Sequence, residues 1–296
     1  MLHSKQVKTV LNKHRERDWW FLDDYSVNPY EGCSCNCQYC YIRGSKYGTN
    51  MEEGLVVKEN ALEILRKQLA ARAKKCQFGI IAVGSATDAY IHHEAKHELT
   101  LGMLKLLLQY RFPVFISTKC TLITRDIELL KKIDEVAILP ADLQPRLKRG
   151  VILSVSLSTL DERISSALEP GAAPPLQRLQ LVKQLKEEGF LVGVNAIPVL
   201  PFISDTEEEL DKIIAAAKGS GADYILVGGL TLFGTGEADS KTLFHKFLQR
   251  YDASLILKYQ QLYGSNFYPP FSYHNQLEEK AEKLCRKYDI RSRILE

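Results

Sequence analysis

The amino-acid pattern predicts an α/β chain, an open partial (βα)6 barrel followed by a C-terminal helical extension. Short runs rich in Val, Ile and Leu alternate with longer stretches whose apolar residues recur at helical spacing. The short runs are apolar almost throughout, as in parallel strands buried on both faces. Counting gives about six strand–helix units, too few to close an eightfold barrel.

A first strand is expected just before the cysteine-rich loop that begins at Cys33. The helical stretch Asn60–Ala73 precedes the strand Phe78–Val83, and His97–Tyr110 precedes Val114–Ser117. Thr124–Ile133 then leads to Val151–Ser156, Leu176–Glu188 to Leu191–Ile197, and Asp205–Lys218 to Tyr224–Gly228. Asp205 is expected to cap its helix, with Glu208 completing a capping box. Past Phe233 the rhythm changes to helical patterns at Ser240–Tyr251, Ala253–Tyr263 and Gln276–Tyr288, around an aromatic segment that starts at Phe267. The expected organisation is a basic segment 1–25, a core 26–232 and an extension 233–296.

Composition sets broad bounds. The 296 residues are 45% hydrophobic and 25% charged, the range of an ordinary globular protein. There is no apolar run long enough to span a bilayer, and the N-terminus lacks the apolar core of a signal peptide. A cytoplasmic location is expected, with no membrane partner. The cysteine count is odd, 7, which argues against a disulfide framework. The net charge of +3 says little. Lys5, Lys8, Lys13, Arg15 and Arg17 make the first stretch basic, either as a phosphate-binding arm or as the solvated face of a segment packed across a barrel mouth.

The chemistry concentrates at Cys33, Cys37 and Cys40, spaced Cys-x3-Cys-x2-Cys. Three thiolates on one loop can hold a cubane iron–sulfur cluster, and a fully protein-held cubane takes four. Three ligands therefore leave one iron open for chemistry. Zinc usually takes four ligands, and Cys37-x2-Cys40 has no second half downstream; Cys35 would have to be the fourth, from within the same loop. The out-of-register Cys35 is expected to point away from a cluster. In parallel α/β folds ligands sit at the C-terminal ends of strands. Those ends carry Ser85, Thr87 and Asp88, then Ser117, Thr118, Lys119 and Cys120, then Ser154 and Ser156, then Asn195. Singly, each Ser or Thr reads equally well as a turn or cap residue. His92, His93 and His97 read as loop and surface residues, with His97 opening a helix. Cys76 precedes a strand and Cys285 sits on a late helix, so neither extends the set.

The cysteine spacing, with Tyr39 before its last member, resembles the radical S-adenosylmethionine (radical SAM) superfamily. The runs NPYEGCSCNCQYCY, GSATDAYIHHE, STKCTLITRD, SVSLSTLDERISSALEPGAAP and PVLPFISD resemble its spore photoproduct lyase-like branch, many of whose members are named as DNA repair photolyases. The likeness runs from about Ser26 to Thr231. It implies a [4Fe-4S] cluster on Cys33, Cys37 and Cys40, and S-adenosylmethionine (SAM) chelated by the open iron and cleaved reductively to a 5'-deoxyadenosyl radical. It further implies Tyr39 and Tyr41 flanking SAM, Ser85–Asp88 at its methionine end, and Thr118 and Lys119 toward its carboxylate. Ser154, Ser156 and Asn195 would meet the ribose or the methionine moiety. An electron donor such as flavodoxin or ferredoxin is implied, and a nucleic acid is the first substrate class by family name. The lyases carry a cysteine, their hydrogen-atom donor, three residues before the Asp; here that position is Ser85. Cys120 is the nearest replacement thiol by sequence. The alternatives are a radical SAM enzyme acting on a peptide or small molecule, and a non-catalytic iron–sulfur or zinc protein.

Overall fold

The computed structural model describes residues 2–45, 48 and 54–295. Three short strands come first: β1 (Leu2–Lys5), β2 (Leu11–Lys13) and β3 (Tyr25–Val27). β4 (Tyr30–Glu31) and β5 (Leu55–Lys58) flank the cysteine loop. Alternation then begins with α1 (Ala61–Lys74), β6 (Ile81–Val83), α2 (Glu94–His97), α3 (Leu99–Tyr110), β7 (Val114–Thr118) and α4 (Ile127–Val136). It continues through β8 (Val151–Ser156), α5 (Glu162–Leu168), α6 (Pro175–Glu187), β9 (Leu191–Ala196), α7 (Glu207–Gly219) and β10 (Tyr224–Val227). Three helices follow, α8 (Ser240–Tyr251), α9 (Leu255–Tyr263) and α10 (Phe271–Tyr288).

The main sheet has the order β10-β9-β8-β7-β6-β3-β2. Six of these strands run parallel and β2 pairs antiparallel with β3, so the sheet has two edges and the barrel is open. Strand alternation sorts the side chains. On β8, Val151, Leu153 and Val155 belong to the large core under the helices, whereas Ile152 faces the interior with Ala82, Phe115 and Leu226. Each fully buried Val, Leu or Ile contributes about 1.5–3 kcal/mol of transfer free energy, before entropy is counted.

The N-terminal stretch is partly built into the sheets. β1 pairs with β5 and β2 with β3. Between β2 and β3 the chain turns inward, and Phe21 and Leu22 plug the barrel floor, with the Phe21 ring 5.0 Å from Phe115. Lys5 is paired with Glu31, and Arg17 with Asp24 and Asp142, so two of the basic residues are already neutralised.

Three local expectations are corrected. Thr206, not Asp205, caps α7, accepting from Glu209 N at 3.2 Å. Asp205 instead accepts from Phe202 N at 2.6 Å and from the Tyr273 hydroxyl at 2.7 Å, tying α10 to the loop before α7. His97 closes α2 instead of opening a helix. The last helix starts at Phe271, ahead of the expected Gln276.

Candidate functional site

The cysteine loop is shaped by its own turns and gripped from two sides. Asn36 N donates to Cys33 O at 3.2 Å and Cys40 N to Cys37 O at 3.3 Å, with Asn36 in the left-handed region (φ 52°) that Asn tolerates. From the end of α5 Leu168 O accepts from Gln38 N at 2.7 Å, and from the loop after it Gly171 N donates to Cys35 O at 3.0 Å. Gly171 is required there, because a Cβ would lie 1.9 Å from Ser34 O. Arg43 Nε binds Cys37 O at 3.0 Å, and the same guanidinium meets Asn36 Oδ1. The loop rests on an apolar cluster with Leu168, Phe244, Leu248 and Tyr259, so α5, α8 and α9 form its floor.

The loop after β6 supplies the second grip. Gly84 adopts φ +86°, and a Cβ there would meet Thr87 O at 2.7 Å, so the turn needs glycine. Thr87 Oγ1 donates to Gly32 O at 2.7 Å. Asp88 is a clamp: Oδ1 accepts from Thr118 Oγ1 and Tyr90 N, both at 2.8 Å, and Oδ2 from Lys119 N at 2.7 Å. Its own amide points at Cys33 Sγ at 3.5 Å. Ser85 is held by Asn28 Nδ2 at 3.2 Å, and its carbonyl accepts from the Tyr41 hydroxyl at 2.8 Å.

The inward residues of the sheet complete the wall. Asn195 Nδ2 donates to Ser117 Oγ at 3.2 Å, and Ser117 Oγ meets Ser156 Oγ at 3.1 Å. Asn195 Oδ1 is buried with no partner among the described residues. Ser154 shares this face but lies one pleat deeper, opposite Gly193, over which the Tyr224 ring packs. A single cavity of about 430 Å³ is lined by Cys33, Cys37, Cys40, the Ser85–Asp88 turn, Lys119, Ser156 and Asn195. Tyr39 and Tyr41 also line it; Ser154, Thr118 and Cys120 do not.

Behind the cysteines sits an ionic network that the sequence did not reveal. Arg178 and Glu169, each 1% exposed, form an ion pair. Arg178 also donates to Ala173 O at 2.6 Å and Ser156 O at 3.1 Å. The Tyr39 hydroxyl contacts Glu169 and lies 2.8 Å from Ser158 Oγ. Burial alone would raise the Glu169 carboxyl, but Lys119 and Arg178 outweigh it and hold Glu169 below its ordinary value. Burial would lower the Lys119 ammonium, and Tyr39, Cys37 and Glu169 instead hold it well above the usual lysine range. Lys119 therefore carries its charge beside Cys37. Asp23, at the opposite end of the cavity, was also missed. It is 3% exposed, its Oδ2 is 3.2 Å from His14 Nδ1, and Oδ1 has no partner among the described residues. Burial pushes it up to about 6, opposed by His14 and reinforced by Asp18.

Cys35 overturns an expectation. The residue does not turn away: Cys35 lines the same cavity, and its buried thiol lies 3.5 Å from Cys120 Sγ and 3.9 Å from Asp88 Oδ2. Contact with Cys120 and burial push the Cys35 thiol up, against the opposing contact with Cys33. His92 is exposed, and its ring packs on His93, 3.8 Å between centroids; neither lines the cavity.

The donor set fits a soft, thiolate-bound centre: three cysteines of one loop line one cavity, with an amide aimed at one sulfur and a lysine ammonium nearby. The model of the Radical SAM superfamily matches residues 27–217. An uncharacterized protein of Mycobacterium tuberculosis is 32% identical over 272 residues, 90% of this chain and 75% of its own. A mutant of spore photoproduct lyase superposes with a TM-score of 0.67 at 14% identity, over 97% of this chain and 79% of that one. A second structure of that lyase, with bound AdoMet and dinucleoside spore photoproduct, gives 0.64 at 14% identity over the same shares.

Proposed function

This chain belongs to the radical SAM superfamily, and on that premise we propose that it is a spore photoproduct lyase-like radical enzyme whose cluster is held by Cys33, Cys37 and Cys40. The cofactors of the superfamily are a [4Fe-4S] cluster and S-adenosylmethionine. When bound and reduced they supply a 5'-deoxyadenosyl radical. The observation that carries the reading is the shared cavity, which brings three cysteines from one loop and polar residues from four strand ends to one place.

In this reading the chain's own residues divide the work. Lys119 offers a charge-assisted hydrogen bond to the SAM carboxylate. Ser156 and Asn195 hold the ribose or the amino-acid moiety, and the free Asn195 Oδ1 is an acceptor kept for a ligand N–H or O–H. Tyr41 and the Ser85 turn border the SAM site. Thr87, Asp88 and Thr118 position those groups, because their polar atoms are already engaged with one another and with the backbone. Tyr39 does the same through Glu169 and Ser158. Ser154 supports the wall from below. Cys120, just outside the cavity lining, is the reserve thiol that stands in for the donor cysteine of the lyases. Residues 26–232 form the catalytic core, to which 1–25 adds the edge strand β2 and the cavity floor and 233–296 adds the helices under the cysteine loop.

The substrate is a nucleic acid in this reading, which rests on the likeness to a lyase solved with a dinucleoside spore photoproduct and on large exposed aromatics such as Trp19 (87%) and Tyr268 (57%) that can stack on bases. The reductant is a flavodoxin- or ferredoxin-like donor, and the location is the cytoplasm. Among the described residues no helix is long and apolar enough to cross a membrane. The test is anaerobic reconstitution with iron and sulfide, followed by addition of SAM and then of oligonucleotides. A cluster spectrum perturbed by SAM, with salt-dependent oligonucleotide binding, supports the reading. A spectrum indifferent to SAM points to a cluster with no open iron, and no oligonucleotide binding moves the substrate to a peptide or small molecule.

A further inference from the structure

Resting on the radical SAM reading above, we propose that Cys35 and Cys120 are a paired hydrogen-atom source for carbon radicals in the cavity, with Cys35 as donor and Cys120 as the thiol that refills it. Cys35 belongs to the cysteine loop but is not needed for a three-thiolate cluster. Cys35 lines the cavity, and Cys120 Sγ lies 3.5 Å from its sulfur. One carboxylate links the Cys35 sulfur to the backbone of Cys120. Asp88 Oδ2 faces Cys35 Sγ at 3.9 Å, while Asp88 Oδ1 accepts from Thr118 Oγ1, which in turn accepts from Cys120 N at 2.9 Å. The backbone of Cys35 is pinned by Gly171 N.

The competing hydrogens in the cavity are poor donors. Ser85, Ser117 and Ser156 offer alcohol O–H bonds, which are too strong to yield a hydrogen atom readily to a carbon radical. The two phenols are engaged, Tyr39 by Glu169 and Ser158 and Tyr41 by the Ser85 carbonyl at 2.8 Å. An S–H bond is weaker, and the transfer uses the neutral thiol rather than the thiolate of nucleophilic chemistry.

The steps balance without any electron entering or leaving. A carbon radical takes the hydrogen of Cys35, forming a C–H bond and a sulfur radical on Cys35. That radical takes the hydrogen of Cys120 across the sulfur–sulfur contact. Cys35 is a thiol again and the radical rests on Cys120. An external small-molecule thiol then gives its hydrogen to Cys120 and carries the radical away.

The experiment needs no identified substrate. Cluster-loaded protein is equilibrated in deuterium oxide, so that its thiols carry deuterium, and SAM is cleaved with dithionite. Mass spectrometry reads the share of 5'-deoxyadenosine that has gained one deuterium, a ratio independent of the amount formed. The wild type is expected to give mostly labelled product, with the label largely lost in Cys35→Ala and confined to the first turnover in Cys120→Ala. Separately, mild thiol oxidation of the cluster-loaded wild type should join Cys35 to Cys120, seen by peptide mapping. Unlabelled 5'-deoxyadenosine from the wild type, undiminished label in Cys35→Ala, or Cys35 joined to another cysteine overturns the pairing while leaving the radical SAM reading intact. Absence of 5'-deoxyadenosine from the wild type overturns both.

Discussion

The two ends of the cavity treat their polar groups in opposite ways. Around the cysteine loop nearly everything is engaged: Asp88 accepts three hydrogen bonds of 2.7–2.8 Å, and Glu169 is met by Arg178 and Tyr39. Toward the sheet interior and the floor, buried acceptors stand open among the described residues, Asn195 Oδ1 and Asp23 Oδ1. An unpaired buried polar group costs about 1–3 kcal/mol. The difference separates holding from receiving. The cysteine end is rigidified to present sulfurs at fixed positions, and the other end keeps hydrogen-bonding capacity for something that enters.

The comparison is broken most severely at the sulfurs. Cys33→Ala, Cys37→Ala or Cys40→Ala should each lose essentially all reconstituted iron, whereas Cys35→Ala should keep it, read by iron analysis and visible absorbance. Iron loss in Cys35→Ala matching that of Cys37→Ala would make Cys35 a ligand.

The holding end is next. Glu169→Gln leaves the Arg178 charge buried and should destabilise the fold by about 3–5 kcal/mol in urea unfolding. Adding Arg178→Met should cost less than the two single changes summed, because the uncompensated charge is gone. Additive costs would mean that the pair is not coupled.

Lys119 lies between the two ends. Lys119→Ala should weaken SAM binding to the cluster-loaded protein by about 1.5–3 kcal/mol, the range for a hydrogen bond to a charged group. Unchanged affinity in a titration would assign its charge to the Glu169 network alone.

The receiving end gives a smaller, pH-dependent effect. The Asp23 carboxyl is raised to about 6 mainly by burial, from about 3.9 in the unfolded chain. Its contribution to stability is fully present below about pH 4 and is lost as pH rises through about 6. Asp23→Asn should therefore gain on the order of 1–3 kcal/mol over the wild type above pH 7, the gain vanishing near pH 4. A variant less stable than the wild type at every pH would show that the His14 contact outweighs burial.

Much of this was legible in the sequence because the signals are local. Three cysteines within one short loop declare themselves, and the apolar runs of β6 to β10 give the parallel sheet. Two-residue alternation puts Ser154 and Ser156 on one face. What it cannot give is depth, and Ser154 proves to lie a layer below the cavity. Glu169 and Arg178 were invisible because the buried ion pair forms only when the end of α5 folds back against α6, and each residue alone reads as a surface charge. Asp88 lines the cavity, and what the sequence does not show is that its oxygens accept from Thr118, Tyr90 and Lys119, partners from other segments or from the backbone. Cys35 differs for a similar reason: register within the loop does not place a residue whose carbonyl is held by Gly171 and whose thiol is met by Cys120 from outside.

Ser85 sharpens the question of which radical reaction the receiving end supports. Wild-type protein should convert a dinucleotide spore photoproduct poorly, and Ser85→Cys should improve conversion. Rapid, clean repair by the wild type, unaffected by Ser85→Cys or Cys120→Ala, would contradict this.

The most direct measurement is 5'-deoxyadenosine released from SAM by the anaerobically reconstituted, dithionite-reduced protein, beside Cys37→Ala treated identically. The wild type should release it and Cys37→Ala should not. Equal amounts from both, or none from an iron-replete wild type, would contradict a radical SAM centre on Cys33, Cys37 and Cys40.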